Sequence, residues 1–178
     1  MTLDKIRSLI RTIPDVPSPG IMFRDITPLL ADPAGLDLAI STLASLCIDA
    51  KPQKVVGVEA RGFIFAAPVA VRIGAGFVPV RKPGKLPWTV VSESYTLEYG
   101  TDTLEIHADA VGEGDSVVIV DDVLATGGTA EAICKLLHNN LGIAYSSMTV
   151  AVLINLAFLG GETLLTEQGV AVHGLLNE

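Results

Sequence analysis

The stretch Val117–Thr129, VVIVDDVLATGGT, decides the fold. Its first four residues are apolar and mostly β-branched, which is typical of a strand buried on both faces in a parallel sheet. Two carboxylates follow, and then a loop of small residues that contains two glycines. Beyond Thr129 the apolar residues recur at helical spacing. The segment therefore predicts a strand, a glycine-bearing loop and the start of a helix.

This arrangement is suited to bind a phosphate group. Free backbone N–H groups and the positive end of the helix dipole are predicted to point into the loop. The residues concerned are Ala125, Thr126, Gly127, Gly128 and Thr129. Carboxylates accept hydrogen bonds from hydroxyls, so Asp121 and Asp122 favour a sugar as the carrier of that phosphate. The alternative is a turn that merely needs glycine, with solvated acids beside it.

Two common nucleotide-binding loops are excluded by their missing residues. A Walker loop needs a lysine after its last glycine, and none follows Gly128. A dinucleotide fingerprint needs G-x-G-x-x-G, which neither Gly74–Gly76 nor Gly112–Gly114 completes.

Composition narrows the class of protein. The 178 residues are 49% hydrophobic and 18% charged, as expected of one globular domain with a sizeable core. The net charge of −8 argues against nucleic acid as a general partner, because a basic face is needed to neutralise its phosphates. Cys47 and Cys134 form no zinc or CxxC spacing, and both are predicted to be buried thiols. Charges near the N-terminus and broken apolar runs predict a cytoplasmic protein without a membrane partner.

Apolar patterns place the other elements. We predict helices over residues 3–12, from Pro33 towards Pro52, and from Phe63 to about Ile73. Strands are predicted over Lys54–Val58, Phe77–Val80, Met148–Ile154 and Val170–Leu175. Alternating strands and helices predict an α/β fold, with a central, mostly parallel twisted sheet flanked by helices.

Charged residues follow three of the predicted strands, one of which is the strand before Asp121 and Asp122. Glu59-Ala60-Arg61-Gly62 follows the first strand, and Arg81-Lys82-Pro83-Gly84-Lys85 follows the second. Ligands of open α/β sheets bind at the carboxyl ends of strands. We therefore expect an anion clamp of Arg61, Arg81, Lys82 and Lys85 at the same edge as the two aspartates.

Residues 90–107 alternate polar and apolar side chains and predict a hairpin that projects from the sheet, with its turn over Tyr99–Asp102. Such a hairpin can serve as a lid, although a lone Glu98 at the bend is also consistent with simple exposure. Near the N-terminus, Phe23 follows a Pro-Gly turn and is consistent either with plain core packing or with a flap on a planar ligand.

Five segments together resemble the adenine branch of the type I phosphoribosyltransferases over nearly the whole chain. They are residues 19–28 (PGIMFRDITP), residues 59–63 (EARGF), residues 78–87 (VPVRKPGKLP), residues 97–101 (LEYGT) and the opening loop. The loop marks only the superfamily, whereas the FRD, RKPGKLP and LEYG segments mark the branch that makes AMP and pyrophosphate from adenine and 5-phosphoribosyl 1-pyrophosphate (PRPP). Trp88 departs from the pattern, where an arginine or a small residue is expected, and this puts lid packing in doubt.

The resemblance implies a role for each matched residue. Ala125–Thr129 would hold the 5′-phosphate, and Asp121 and Asp122 the ribose. Glu59, Ala60, Arg61, Arg81, Lys82 and Lys85 would form the pyrophosphate site, with an often cis peptide after Glu59. Met22, Phe23 and Arg24 would contact adenine, with Phe23 stacked on the ring. Glu98, beside Tyr99, would move the purine proton as the catalytic lid residue.

The resemblance also implies a fold, a cofactor and an assembly. We expect one domain over residues 1–178, with an N-terminal arm and hood over residues 1–32 and a flexible lid hairpin over residues 88–107. Mg²⁺ would be held mainly by PRPP and water rather than directly by the protein, and a homodimer is implied. Two alternatives remain: a PRPP-sensing regulator without catalysis, and the same chemistry on xanthine or guanine.

Overall fold

The computed structural model of the chain describes residues 2–97 and 100–178. They fall into two compact units, one ending at Thr42 and the other beginning at Leu43. One domain over residues 1–178 therefore stays a prediction.

The first unit contains a small antiparallel sheet between short helices. Its elements are α1 (Leu3–Ser8), β1 (Arg11–Pro14), β2 (Met22–Asp25), α2 (Thr27–Ala31) and the start of α3 (Pro33–Cys47). The helix predicted over residues 3–12 is too long, because Arg11 and Thr12 pair with β2. The backbone of this segment pairs with β2 instead of continuing the helix, so α1 ends at Ser8.

The second unit is built on a parallel sheet. Its elements are β3 (Lys54–Val58), α4 (Arg61–Ile73), β4 (Gly76–Val80), β5 (Val90–Leu97), β6 (Gly100–His107), β7 (Val117–Leu124), α5 (Gly128–Leu141), β8 (Met148–Asn155), α6 (Gly161–Glu167) and β9 (Ala171–Asn177). Five strands lie in the order β4-β3-β7-β8-β9, and every neighbouring pair is parallel. The predicted α/β fold is confirmed, and β9 is the edge strand expected near the C-terminus.

The middle strands carry the core. All eight residues of β8 are buried, as are the first four of β7. This explains why both read as continuous apolar runs, since helices cover a parallel sheet on both faces. Helix α4 lies so close to β3 that a Cβ on Gly57 would stand 2.6 Å from Cβ of Ala66. Cys47 and Cys134 are buried, as predicted.

The hairpin forms a separate two-stranded antiparallel sheet, in which Leu97 pairs with Gly100. Gly100, Thr101 and Asp102 belong to β6, so the predicted turn is wrong for these three residues; the fourth, Tyr99, lies outside the described residues. The base of the hairpin is anchored, because Leu104 and Ile106 are buried. A backbone bridge joins Glu105 to Arg81, with N–O distances of 2.9 and 2.8 Å.

One segment, Pro33–Ala50, is long and apolar enough by length and composition to cross a membrane. Its buried apolar side chains recur at helical spacing and line one helical face; they are Ala39, Ile40, Leu43, Ala44 and Cys47. This spacing is typical of a helix that packs one face against a protein core.

Candidate active site

The carboxyl ends of β3, β4 and β7 meet at one edge of the sheet, as predicted. Strand β7 is longer than its apolar run, because Asp121, Val123 and Leu124 continue the ladder with β8. The strand therefore continues through the two carboxylates that follow the apolar run and ends at Leu124. Asp121 and Asp122 are strand residues, held by regular backbone pairing at the mouth of the site.

The loop after β7 encloses a cavity of about 250 Å³. Gly127 directly precedes α5 and has φ +87°, a left-handed conformation that favours glycine. The cavity lies at the N-terminus of α5, where unpaired backbone N–H groups and the helix dipole favour an anion. Its lining includes Arg61, Asp121, Asp122, Leu124, Ala125, Thr126, Gly127, Gly128 and Thr129. The structure thus brings the predicted phosphate and ribose residues together.

The two aspartates differ in their surroundings. Asp122 is 3% exposed and pairs with Arg61, with 2.9 Å between Oδ2 and Nε. Oδ1 of Asp121 accepts a hydrogen bond from the backbone N–H of Asp122 at 2.8 Å. Burial and the neighbouring charge of Asp122 raise the pKa of Asp121 to about 8. One carboxyl group therefore faces a cation, whereas burial and a neighbouring charge raise the pKa of the other.

The start of α4 approaches this pair closely. A Cβ on Gly62 would lie 3.0 Å from Oδ1 of Asp121 and 3.1 Å from the carbonyl oxygen of Val120. The glycine that follows Arg61 therefore allows the helix to bring its first residue to the aspartates.

A second cluster surrounds Glu59, whose peptide bond to Ala60 is cis, as the resemblance implied. Arg81 donates to both carboxylate oxygens of Glu59, at 3.1 and 3.2 Å, and the backbone N–H of Lys82 donates to Oε2 at 3.1 Å. These bonds, led by that from the Arg81 side chain, lower the pKa of Glu59. Arg81 also donates to the carbonyl oxygen of Lys85, which fixes the shape of the basic loop.

The basic loop is tied to the hairpin. Nζ of Lys82 lies 2.9 Å from Oδ2 of Asp102 on β6, and the N–H of Gly84 donates to Oε2 of Glu105 at 3.0 Å. The hydrogen bond and charge of Asp102 raise the pKa of Lys82. Sequence reasoning missed Asp102 and Glu105, although both stand on a strand that alternates polar and apolar residues. Trp88, just beyond the loop, is 68% exposed.

The predicted base-binding residues lie in the first unit, on β2. Met22 is exposed and Phe23 half-buried, and Arg24 donates from Nη1 to Oγ1 of Thr12. Asp25 at the end of the strand accepts from the N–H of Thr27 at 2.9 Å and fixes the turn into α2. The assignment of these residues to adenine stays a prediction.

The predicted catalytic lid residues, Glu98 and Tyr99, lie outside the described residues. For the rest of the chain, no group of three or more His, Cys, Asp or Glu side chains could hold a metal ion. The phosphate cavity suits a Mg²⁺ ion that enters with its own phosphate ligands and water, since such an ion needs few protein ligands.

Residues 27–157 match the phosphoribosyl transferase domain family. The parallel sheet, the loop after β7 and this match place the chain among the type I phosphoribosyltransferases. Closer relatives narrow the class. An adenine phosphoribosyltransferase of Pectobacterium atrosepticum is 55% identical over 172 residues, covering 97% of this chain and 91% of that protein.

Two solved structures agree with this. The adenine phosphoribosyltransferase of Thermoanaerobacter pseudethanolicus is 49% identical with a TM-score of 0.92, covering 99% of this chain and all of that one. The APRTase of Giardia lamblia, crystallised with 9-deazaadenine, is 36% identical with a TM-score of 0.93, covering 100% of this chain and 98% of that one. The chain belongs to the adenine phosphoribosyltransferase family, the pentosyltransferases of purine salvage.

Proposed function

We propose that this protein transfers the 5-phosphoribosyl group of PRPP to adenine and releases AMP and pyrophosphate. The observation that carries the proposal is the cavity at the start of α5, where Ala125–Thr129 lie beside two carboxylates and Arg61. A phosphate, a sugar and a leaving anion each find a chemically suitable partner there. The relatives at 53–55% identity support adenine as the base.

Bond exchange takes place at the anomeric carbon of ribose. As the bond to pyrophosphate breaks, positive charge develops on the ring and negative charge on the leaving group. Asp122, paired with Arg61, would stabilise the ring electrostatically and accept a hydrogen bond from a ribose hydroxyl. Asp121, whose pKa is raised, would contribute a donor when protonated and a second acceptor when ionised. Ala125–Thr129 would keep the 5′-phosphate fixed, so that the ring is oriented for attack.

The leaving group needs cations. Mg²⁺ would arrive as part of the PRPP complex and neutralise pyrophosphate charge. Arg61 lines the cavity and pairs with Asp122. Arg81, Lys82 and Lys85, with Glu59 and Ala60 shaping their approach, would complete the pyrophosphate site. Two of these cations now face carboxylates, Arg81 with Glu59 and Lys82 with Asp102, so pyrophosphate would compete with those partners.

The base would be held by Met22, Phe23 and Arg24, through ring stacking on Phe23 and backbone groups beside it. Glu98 would exchange the purine proton, with Tyr99 beside it. We further propose that the enzyme works in the cytoplasm and as a homodimer.

The test is purified protein with Mg²⁺ and PRPP, given adenine, guanine, hypoxanthine or xanthine in turn, with nucleotide followed by chromatography. We expect AMP from adenine and little product from the other bases. A PRPP-sensing regulator would bind PRPP and form no nucleotide, and a 6-oxopurine enzyme would reverse the preference.

A paired variant tests the site. Asp122→Asn removes a charged acceptor, and hydrogen bonds to charged groups are worth roughly 1.5–3 kcal/mol, so the KM for PRPP should rise about 10- to 100-fold. Asp109→Asn makes the same charge change at an exposed position and should leave it unchanged. Equal KM values in both variants would remove Asp122 from the ribose site.

A further inference from the structure

The loop that encloses the phosphate cavity rests on a second backbone segment from far along the chain. Gly161, the first residue of α6, is buried, and its N–H donates to the carbonyl oxygen of Ala125 at 3.1 Å. A Cβ on Gly161 would stand 2.4 Å from that same oxygen and 2.8 Å from the backbone nitrogen of Gly127. The two backbones therefore touch at a distance that no side chain permits.

The contact is reciprocal. A Cβ on Gly127 would lie 2.9 Å from Cα of Gly161 and 3.2 Å from its carbonyl oxygen. Because the obstructing atoms are backbone rather than flexible side-chain ends, neither segment can relieve a clash by rotating a side chain. Glycine is required on both sides, and at Gly127 the positive φ adds a second reason.

The segment that carries Gly161 is itself held in place. The N–H of Leu156 donates to the carbonyl oxygen of Leu124 at 2.9 Å, where β7 ends. Nδ2 of Asn155 donates to Oε2 of Glu162 at 2.6 Å, which ties the first turn of α6 to the end of β8. With α6 anchored on both sides of Gly161, the loop Ala125–Gly127 is the part that would have to move.

We propose that Gly161 is a positioning residue for the 5′-phosphate, which sets the shape of the Ala125–Gly127 loop without contacting the ligand. Among the described residues, Ala125, Thr126 and Gly127 line the cavity, whereas Gly161 does not. The proposal rests on the proposed function, because it takes this cavity to be the site of a ribose phosphate. A displacement of the loop would misplace the N–H groups that hold the phosphate, and an error of about 1 Å can cost 100-fold.

The experiment compares Gly161→Ala with the wild type and with Gly57→Ala. Gly57 is the matched control, since its added Cβ would be crowded by Ala66 at 2.6 Å but would meet helix α4 rather than the loop. Initial rates give KM for PRPP, KM for adenine and kcat, and calorimetry gives the affinity for ribose 5-phosphate. We expect Gly161→Ala to raise the KM for PRPP and the Kd for ribose 5-phosphate at least about tenfold, with the KM for adenine little changed.

Gly57→Ala should lower the melting temperature without this selective loss of phosphate affinity. If both variants lose stability and Gly161→Ala keeps the wild-type Kd for ribose 5-phosphate, Gly161 has only a structural role and the proposal is wrong. If the wild type binds neither PRPP nor ribose 5-phosphate, the proposed function fails instead.

A measurement on the wild type covers the case in which Gly161→Ala does not fold. Hydrogen exchange of the peptide that contains Gly161 should slow when ribose 5-phosphate binds, because a fixed loop keeps the Ala125 carbonyl on the Gly161 N–H. Unchanged exchange in that peptide, with slowed exchange in the loop itself, would contradict the coupling.

Discussion

The raised pKa of Asp121 gives a quantitative prediction. Burial and the charge of Asp122 raise the pKa of Asp121 to about 8 in the folded protein, from an ordinary value of 3.8. Between these two values the native state keeps a proton that the unfolded chain releases. The contribution of Asp121 to stability is therefore complete below pH 3.8 and is lost as the pH rises towards 8.

The size of this stability loss follows from the slope of the free energy of unfolding against pH. A single proton bound by the native state alone lowers the free energy of unfolding by about 1.4 kcal/mol for each pH unit. From pH 5 to pH 7 the loss from Asp121 is about 2.5 kcal/mol. Asp121→Asn cannot titrate, and its amide oxygen still accepts the bond from the N–H of Asp122. Relative to the wild type, the free energy of unfolding of the variant should therefore rise by about 2.5 kcal/mol from pH 5 to pH 7.

The assay is urea unfolding of both proteins at pH 5, 6 and 7, at one protein concentration and without phosphate. Only the change in the difference between the two proteins matters, so other titrating groups cancel. Asp109→Asn, at an exposed position, should follow the wild type at every pH. If the curves of Asp121→Asn and the wild type run parallel from pH 5 to pH 7, Asp121 is ionised in the native protein and the reasoning is refuted.

Three further outcomes are expected. Glu98→Ala should lower kcat by roughly 10²–10⁴-fold, while the KM for PRPP stays near that of the wild type. Rapid-quench and steady-state rates measure both quantities. Unchanged turnover would show that Glu98 does not transfer the purine proton. Asp102→Asn frees Lys82 from an exposed ion pair with Asp102, so inhibition by pyrophosphate should become tighter by a few-fold at most, and weaker inhibition would contradict the exchange of partners. Burial raises the pKa of the thiols of Cys47 and Cys134 to about 12, so iodoacetamide at pH 8 should label them only after unfolding, as mass spectrometry would show.

The sheet could be predicted because its strands are buried on both faces. Lys54–Val58 was predicted with its observed bounds, since the apolar run coincides with the strand. The end of β7 could not, because Asp121 and Asp122 break the apolar pattern while their backbone continues the ladder with β8. An apolar pattern shows which part of a strand is buried, whereas backbone hydrogen bonding determines where the strand ends. Polar functional residues at the end of a strand therefore belong to the strand without showing its apolar pattern.

The candidate site was predictable where charge or spacing marks its residues. Arg61 was predicted at the same sheet edge as the aspartates, and it lines the cavity with them. The loop Ala125–Thr129 and the aspartates before it lie in one stretch, so spacing alone indicated their chemistry. Gly161 contacts that loop from a distant part of the chain, and a Gly-Gly pair at positions 160–161 is as consistent with an ordinary turn.

Charge indicated the cations of the predicted clamp but not their partners. Arg61, Arg81 and Lys82 each face a carboxylate from another element. The clamp is therefore held in shape, and largely neutralised, before a substrate arrives. Binding of pyrophosphate must then exchange one set of charge partners for another, rather than add attraction to bare cations. The affinity of the site for pyrophosphate should consequently depend on Glu59 and Asp102 as much as on the basic residues themselves.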